Sequence, residues 1–303
     1  MKIGIFDKVD TNIIANKLKG HELYFENIPA DIEVAIIRGR TPITKQFLSS
    51  FPHIKYVLMV GTGLDHIDMQ ECEKRGIKVF NAPGSNANAV SELFFYHLIN
   101  ALRLASKACY DVKEHNYLKV DRSAYIGWEV KNKTIGFVGV GAIAKLIISK
   151  LSTWNCKIIG YDIIEDKKFE KSHPYFRYTS LEEVLKESDI ISINAPLTPQ
   201  THHLINHNTI QLMKKGVVVI NLARGEIVNS ADIVDALNSG KISFYAADVL
   251  GNEKNLTSDD LALQNHPKTC ITPHIGAQTK ESLSNATEQV IENFLKFLQQ
   301  QNP

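Results

Sequence analysis

Short apolar runs rich in β-branched residues alternate with stretches of helical periodicity along almost the whole chain. In the first third the runs fall at 2–6, 34–38, 56–60 and 78–81, with helical patterns between them, as at 68–75 before the stop at Gly76. Such alternation predicts βαβ units, and therefore parallel sheets, because parallel neighbours need a crossover connection. The stretch from 88 to about 114 is apolar over several turns and free of Pro and Gly. It predicts one long helix that could carry the chain from one domain to another. A second alternating series follows, with strands expected at 134–138, 157–161, 190–194, 217–222 and 243–248, and a short one at 269–272. The last stretch, 277–300, has the pattern of an amphipathic helix. With no repeat and no flexible linker, the pattern describes two α/β layers of unequal size, the second larger.

Length agrees with this division, since 303 residues exceed what one core usually organises. A formal charge of +1 gives no electrostatic support to nucleic-acid or anionic-membrane binding. The opening "MKIGIFD" lacks the parts of a signal peptide, and the densest apolar stretch, "GVVVINLA", is too short to span a bilayer. Cys72, Cys109, Cys156 and Cys270 are widely separated and form no CxxC pair, which argues against a disulfide framework or a metal site and for buried free thiols. The expectation is a cytoplasmic protein with no metal.

The first chemical signal is "GFVGVGAIAKL", which places Gly139-x-Gly141-x-x-Ala144 between an expected strand and an expected helix. The first glycine permits a tight turn, the second lets the backbone approach a pyrophosphate, and the third position needs only a small residue. The N-terminus of the following helix offers N–H groups and the positive end of its dipole. The next strand, "KIIGYD", ends on Asp162, whose carboxylate can accept both ribose hydroxyls and would repel a 2′-phosphate. Ile163 and Ile164 follow, with no arginine to welcome that phosphate. The cofactor expected is NAD rather than NADP; the alternative is a structural glycine turn with Asp162 as a helix cap.

A second signal is "NLARGEIVN", where an apolar run ends on Arg224. Arginine is rarely buried without a partner, and strand ends in α/β proteins are where ligands sit. With "VGTGLDHID", "IKVFNAPGSNANAVSE", "AADVLGNE" and "TPHIGAQT" in order, the chain resembles the D-isomer-specific 2-hydroxyacid dehydrogenase family over nearly its whole length. The resemblance implies a flavodoxin-like substrate domain from 1–98 and 277–303, a Rossmann cofactor domain from 99–276, both doubly wound on parallel sheets, and catalysis in a cleft between them. It places the catalytic residues at Arg224, Glu253 and His274. It further implies cofactor contacts from Gly139, Gly141, Ala142, Ile143, Asp162, Pro196, Leu222, Ala223, Asp248 and Gly276, with Asp248 near the nicotinamide carboxamide. Gly61, Thr62 and Gly63 resemble the loop whose N–H groups hold the substrate carboxylate, where small residues allow close approach.

The chemistry of these residue types suits the implied roles. Reducing a 2-oxo acid needs a proton donor for the carbonyl oxygen, and histidine serves near neutral pH. A paired carboxylate raises and orients the imidazole, while a guanidinium can fork onto the substrate carboxylate. The alternatives are a structural salt bridge for Arg224, a solvated carboxylate for Glu253, a core or capping histidine for His274, and a cap for Asp248. The chain departs from the family at Lys254, where proline often follows the glutamate, at "VLGNE", at Asn194, where histidine is common, and at Ala142, where many members carry arginine.

Arg38 and Arg40 end a strand in "AIIRGRTPIT" and could bind a substrate phosphate bidentately, which resembles 3-phosphoglycerate dehydrogenases; the alternative is Arg38 as the general family arginine of this loop and Arg40 as a solvated turn residue. The specific expectation is therefore oxidation of 3-phosphoglycerate to 3-phosphohydroxypyruvate in serine synthesis, without a C-terminal regulatory domain. Hydroxypyruvate or glyoxylate reduction is the enzymatic rival, and an NAD-sensing scaffold of the corepressor type is the rival from another class. The only other partner expected is a second copy of the chain, with Lys119 and Arg122 as residues that could reach a neighbouring site.

Overall fold

A computed structural model of the chain describes residues 1–301. The chain divides into two compact units, one formed by Met1–Ala89 together with the segment from Ala277 onward, the other by Val90–Gly276. The division falls after Ala89, not at residue 98, because Val90, Phe94, Leu98 and Leu102 of the helix Ala87–Arg103 bury themselves in the core of the second unit.

The first unit holds a five-stranded sheet of β1 (Lys2–Ile5), β2 (Glu22–Tyr24), β3 (Val34–Ile37), β4 (Tyr56–Met59) and β5 (Lys78–Phe80), ordered β2-β1-β3-β4-β5. Every pairing is parallel, with Ile3 opposite Val34 and Ile36 opposite Leu58. Strands read as continuous apolar runs because both faces are covered. Val34, Ile36 and Leu58 face a cluster completed by Ala286, Val290, Ile291 and Phe294, while Ala35, Ile37, Val57 and Met59 face another with Ile43 and Leu48. The first of these clusters is supplied by the C-terminal helix Lys280–Gln301, whose apolar stripe returns to the sheet that opens the chain. Fully burying a side chain such as Phe294 contributes roughly 1.5–3 kcal/mol, enough to hold the helix against its ordering cost only when several act together.

The second unit holds seven parallel strands: β6 (Thr134–Val138), β7 (Lys157–Tyr161), β8 (Phe176–Tyr178), β9 (Ile190–Ile193), β10 (Val217–Asn221), β11 (Ile242–Ala247) and β12 (Thr269–Ile271). Their order is β12-β11-β10-β9-β6-β7-β8. Alternate residues serve opposite faces: Ile135, Phe137, Val218 and Ile220 pack in one cluster, and Val138, Val217 and Val219 in the other. The strand order reverses at β6, which lies between β9 and β7. The loops after β6 and β9 therefore diverge and open a crevice at the carboxyl ends of the strands.

Three expectations are corrected. The single helix from 88 to about 114 is two, Ala87–Arg103 and Ala105–His115, broken at Leu104, which adopts a left-handed backbone with φ 52°. The break is stabilised by Asn100, buried, whose side-chain oxygen accepts from the Ser106 N–H at 2.7 Å and so caps the second helix. Leu104 packs against the core, which offsets the 1–2 kcal/mol or so that a non-glycine residue loses there. The edge strands β2 and β8 were not anticipated, being three residues each and mixed in polarity. The cysteines are free, but only Cys72 is buried and Cys109 is exposed. Among the described residues no helix is long and apolar enough to cross a membrane.

Candidate active site

Within the second unit two groups of predicted residues assemble at carboxyl ends of strands. The first surrounds the crevice. Gly139 follows β6 with φ 91°, and a Cβ there would meet the Ala195 backbone nitrogen at 2.6 Å, so only glycine lets this turn pass the segment after β9. At Gly141 a Cβ would meet nothing within 4 Å, so the start of the helix Ala142–Lys150 faces open space, and its N-terminus carries no side-chain cap. Asp162 ends β7 and its Oδ2 accepts from the Val140 N–H at 2.7 Å, which ties the carboxylate to the glycine turn. Ile163 and Ile164 beside it are exposed. Ala142 is exposed in the first turn, Ile143 packs partly on the core, and Pro196 is exposed beyond β9. A backbone open to close approach, uncapped amides and an acidic strand end fit the pyrophosphate and adenosine ribose of NAD.

The second group stands at the ends of β10, β11 and β12. After β10 the chain turns through Leu222 and Ala223, both buried, to Arg224, whose Nη1 donates to the Ala223 carbonyl at 2.8 Å. Asn221 organises this turn. It is fully buried, its Oδ1 accepts from the Ala223 N–H at 3.1 Å, and its Nδ2 donates to the Arg224 carbonyl at 2.9 Å.

Gly225 explains why the next position is small. A Cβ there would lie 2.1 Å from the Gly251 nitrogen, so the loop bearing Arg224 packs backbone to backbone against the loop bearing Glu253. Gly251, the unusual residue of "VLGNE", has φ 44°, and the Asp260 carboxylate occupies the space of its missing Cβ at 2.4 Å. Asp260 in turn accepts from Ser230 Oγ at 2.6 Å and Thr257 Oγ1 at 2.8 Å, closing a capping box at the start of the helix Ser258–Gln264. Gly225→Ala is expected to cost roughly 1–3 kcal/mol of stability and to slow turnover together. Thermal unfolding and initial rates check this; an unchanged melting temperature and rate would mean the two loops separate freely.

His274 has φ 53°, an uncommon backbone for a histidine, and its N–H donates to the Asp248 and Thr272 carbonyls at 2.9 and 3.0 Å. Its Nδ1 lies 2.9 Å from Glu253 Oε2. That bond holds the imidazole pKa above its ordinary value; burial and the positive charge of Arg224 act the other way, and the charge of Asp248 adds to the rise. Asp248 is 4% exposed, and its carboxylate accepts from Thr272 Oγ1 at 2.5 Å, Ile275 N–H at 2.8 Å and Gly276 N–H at 2.6 Å. The observed contacts of Asp248 are thus with the turn that carries His274. A raised imidazole beside a guanidinium can deliver a proton to an oxygen of a bound anion.

In the first unit Arg38 follows β3 and Gly61-Thr62-Gly63 follows β4. One residue that sequence reasoning missed organises the arginine loop: Asp7. Its Oδ2 accepts from the N–H groups of Arg38, Gly39, Arg40 and Thr41 at 2.7, 3.0, 3.3 and 3.3 Å, and its Oδ1 from Thr41 Oγ1 at 2.8 Å. Burial would raise the Asp7 carboxyl, but these donors hold it below the usual range. Arg38 is half-buried and donates to the Ala277 carbonyl at 3.2 Å, and Arg40 is exposed. Thr62 is held by Asn81, whose Nδ2 donates to its carbonyl at 2.8 Å. Lys119 and Arg122 lie exposed on short 3₁₀ turns, Arg122 over the Tyr117 ring. The signal for Asp7 was present: a carboxylate closing the first apolar run.

Residues 95–276 match the profile described as D-isomer specific 2-hydroxyacid dehydrogenase, NAD binding domain. The hydroxypyruvate reductase of Thermotoga maritima is 31% identical over 294 residues, covering 97% of this chain and 93% of that protein. The D-3-phosphoglycerate dehydrogenase of Bacillus subtilis is 34% identical over 88% of this chain, which spans only 49% of that protein. The crystal structure of the D-lactate dehydrogenase of Aquifex aeolicus, complexed with NAD and lactic acid, superposes with a TM-score of 0.84 at 28% identity, covering 99% of this chain and 96% of that one. The chain therefore belongs to the D-isomer-specific 2-hydroxyacid dehydrogenases, NAD-dependent oxidoreductases that act on the CH–OH group of a small 2-hydroxy acid.

Proposed function

We propose that Arg224, Glu253 and His274 carry out the interconversion of a 2-hydroxy acid and its 2-oxo acid. The observation that carries this reading is the 2.9 Å bond between His274 Nδ1 and Glu253 Oε2, next to an arginine fixed at a strand end. NAD, when bound, supplies the hydride acceptor or donor at C2. His274 takes the hydroxyl proton in oxidation and returns it in reduction, with Glu253 stabilising the imidazolium between the two. Arg224 holds the substrate carboxylate and polarises the neighbouring carbonyl. The glycine turn 139–141 and Ala142 receive the pyrophosphate, Asp162 the ribose hydroxyls, Asp248 lies near the nicotinamide carboxamide, and Ile143, Pro196, Leu222, Ala223 and Gly276 complete the cofactor contacts. Gly61, Thr62 and Gly63 offer N–H groups to the substrate carboxylate.

For the substrate itself the reading is 3-phosphoglycerate, with its 2-oxo product. Support comes from the loop after β3, which carries two cationic side chains two residues apart, Arg38, half-buried and donating to the Ala277 carbonyl, and Arg40, exposed. Hydroxypyruvate reduction is the second reading, favoured by the near full-length match to the Thermotoga maritima reductase. Initial rates of NADH oxidation with phosphohydroxypyruvate and hydroxypyruvate, repeated in Arg40→Ala, separate them. The phosphate reading expects a preference for the phosphorylated acid that falls by about tenfold or more in the variant, the loss of one charge-assisted contact. Equal rates, or preference for the unphosphorylated acid, establish the second reading.

The exposed run of Tyr117, Leu118, Ile126 and Trp128 supports a homodimer through the second unit, since a soluble monomer rarely leaves so much apolar surface together. Sedimentation at micromolar concentration is expected to give twice the chain mass, and a monomer there contradicts it.

A further inference from the structure

Histidine 97 lies in the middle of the helix Ala87–Arg103, between Phe94 and Leu98 in the core, and is 0% exposed. Burial lowers its pKa to about 4, so the ring is neutral. A neutral imidazole offers one N–H and one lone pair. Its Nε2 lies 3.1 Å from Thr272 Oγ1, while its Nδ1 is buried with no hydrogen-bond partner among the described residues. The Thr272 hydroxyl is 2.5 Å from Asp248 Oδ1 and 3.4 Å from the Ala247 carbonyl. A carboxylate only accepts, so the hydroxyl hydrogen points to Asp248 and Thr272 has only a lone pair left for His97. The proton of His97 is therefore on Nε2, and the donors run in one direction: His97 to Thr272, Thr272 to Asp248.

Asp248 is where this chain meets the candidate site. Its carboxylate also receives the N–H groups of Ile275 and Gly276, and its carbonyl receives the N–H of His274. The turn from 272 to 276, with His274 in its uncommon left-handed conformation, is thus held from below by one carboxylate whose third donor is aimed by His97. A leucine would fill a helix position in this core without leaving a ring nitrogen unpaired, and an unpaired buried nitrogen is costly.

We propose that His97 is a positioning residue for proton transfer: through Thr272 and Asp248 it fixes the turn that directs the His274 ring. The inference rests on the reading of His274 as the proton donor, so His274→Gln is measured alongside. The test compares H97L, H97Q and T272V by kcat, KM, the NADH dissociation constant and melting temperature. H97L is expected to lower kcat roughly tenfold, the order of loss that a small misplacement of a reacting group produces, with NADH affinity, to which this turn brings the proposed contact of Gly276, changed less than kcat. H97Q, which restores a side-chain N–H, is expected to recover kcat to within about threefold. T272V is expected to match H97L, with the double variant no worse than either alone, because both cut the same chain of donors. An H97L protein with wild-type kcat, or losses that add in the double variant, overturns the inference and leaves His97 as packing. Should H97L not fold, a wild-type kcat in T272V overturns it equally. A His274→Gln enzyme that keeps its rate would instead overturn the proton-donor reading, whatever the His97 variants do.

Discussion

Arg224→Ala is expected to lower kcat/KM for NADH-linked 2-oxo acid reduction by about 10³-fold, the upper range for loss of a single preorganised donor to developing charge. The physical reason lies in where the chain places the guanidinium. An uninterrupted apolar strand buries β10 on both faces, so its end is rigid, and Asn221 pins the following turn by bonds to Ala223 and Arg224. Gly225 then presses that turn against the loop of Glu253. A charge so fixed needs little reorganisation when negative charge grows on the substrate oxygen. Arg224→Lys is expected to recover only part of the loss, because a point charge cannot fork onto a carboxylate. NADH binding should change far less than the rate in either variant, since the pyrophosphate and ribose contacts proposed for the cofactor lie at residues 139–142 and at Asp162, and only those of Leu222 and Ala223 adjoin the arginine. A rate in Arg224→Ala within about tenfold of the wild type, well below the loss expected for such a donor, would identify the arginine as a structural strand-end residue.

His274→Gln is the second large effect, expected to lower kcat by about 10²–10⁴-fold. Glutamine keeps a hydrogen-bond donor near the imidazole position but cannot exchange a proton near neutral pH. The loss should appear in both directions, because the ring gives a proton in reduction and takes one in oxidation. Melting temperature should hardly move: the side chains of His274 and Glu253 are about half exposed, and a pair so placed contributes little to stability. A variant that retains the wild-type rate in both directions removes His274 from the chemistry.

Much of this was legible in the chain because the physics is local. Strands buried on both faces must read as apolar runs, and β6, β7, β9, β10 and β11 do. Gly139 was legible because a tight turn at positive φ leaves few choices of residue. What escaped was tertiary in origin. The break at Leu104 depends on Asn100 reaching over to Ser106, and no Gly or Pro marks it. Edge strand β8 forms on the template of β7 and has little apolar run of its own. In the chain alone "VLGNE" is no more than a departure from the family pattern. Its glycine makes sense only beside Asp260 in the first turn of the next helix, and Asp7 and Thr272 likewise gain meaning only from partners the fold supplies.

The most direct test of the account is the pH dependence of kcat/KM for 2-oxo acid reduction, in the wild type and in Glu253→Gln. Reduction needs the protonated imidazole, so the rate should be flat at low pH and fall as pH rises through the pKa of His274. Because Glu253 raises that pKa, the wild-type limb should lie above the ordinary histidine value of about 6.5, and Glu253→Gln should move it to lower pH. Oxidation needs the neutral ring and should show the mirror-image rise. A limb that stays in place in Glu253→Gln, or a reduction rate that rises with pH, would contradict the account.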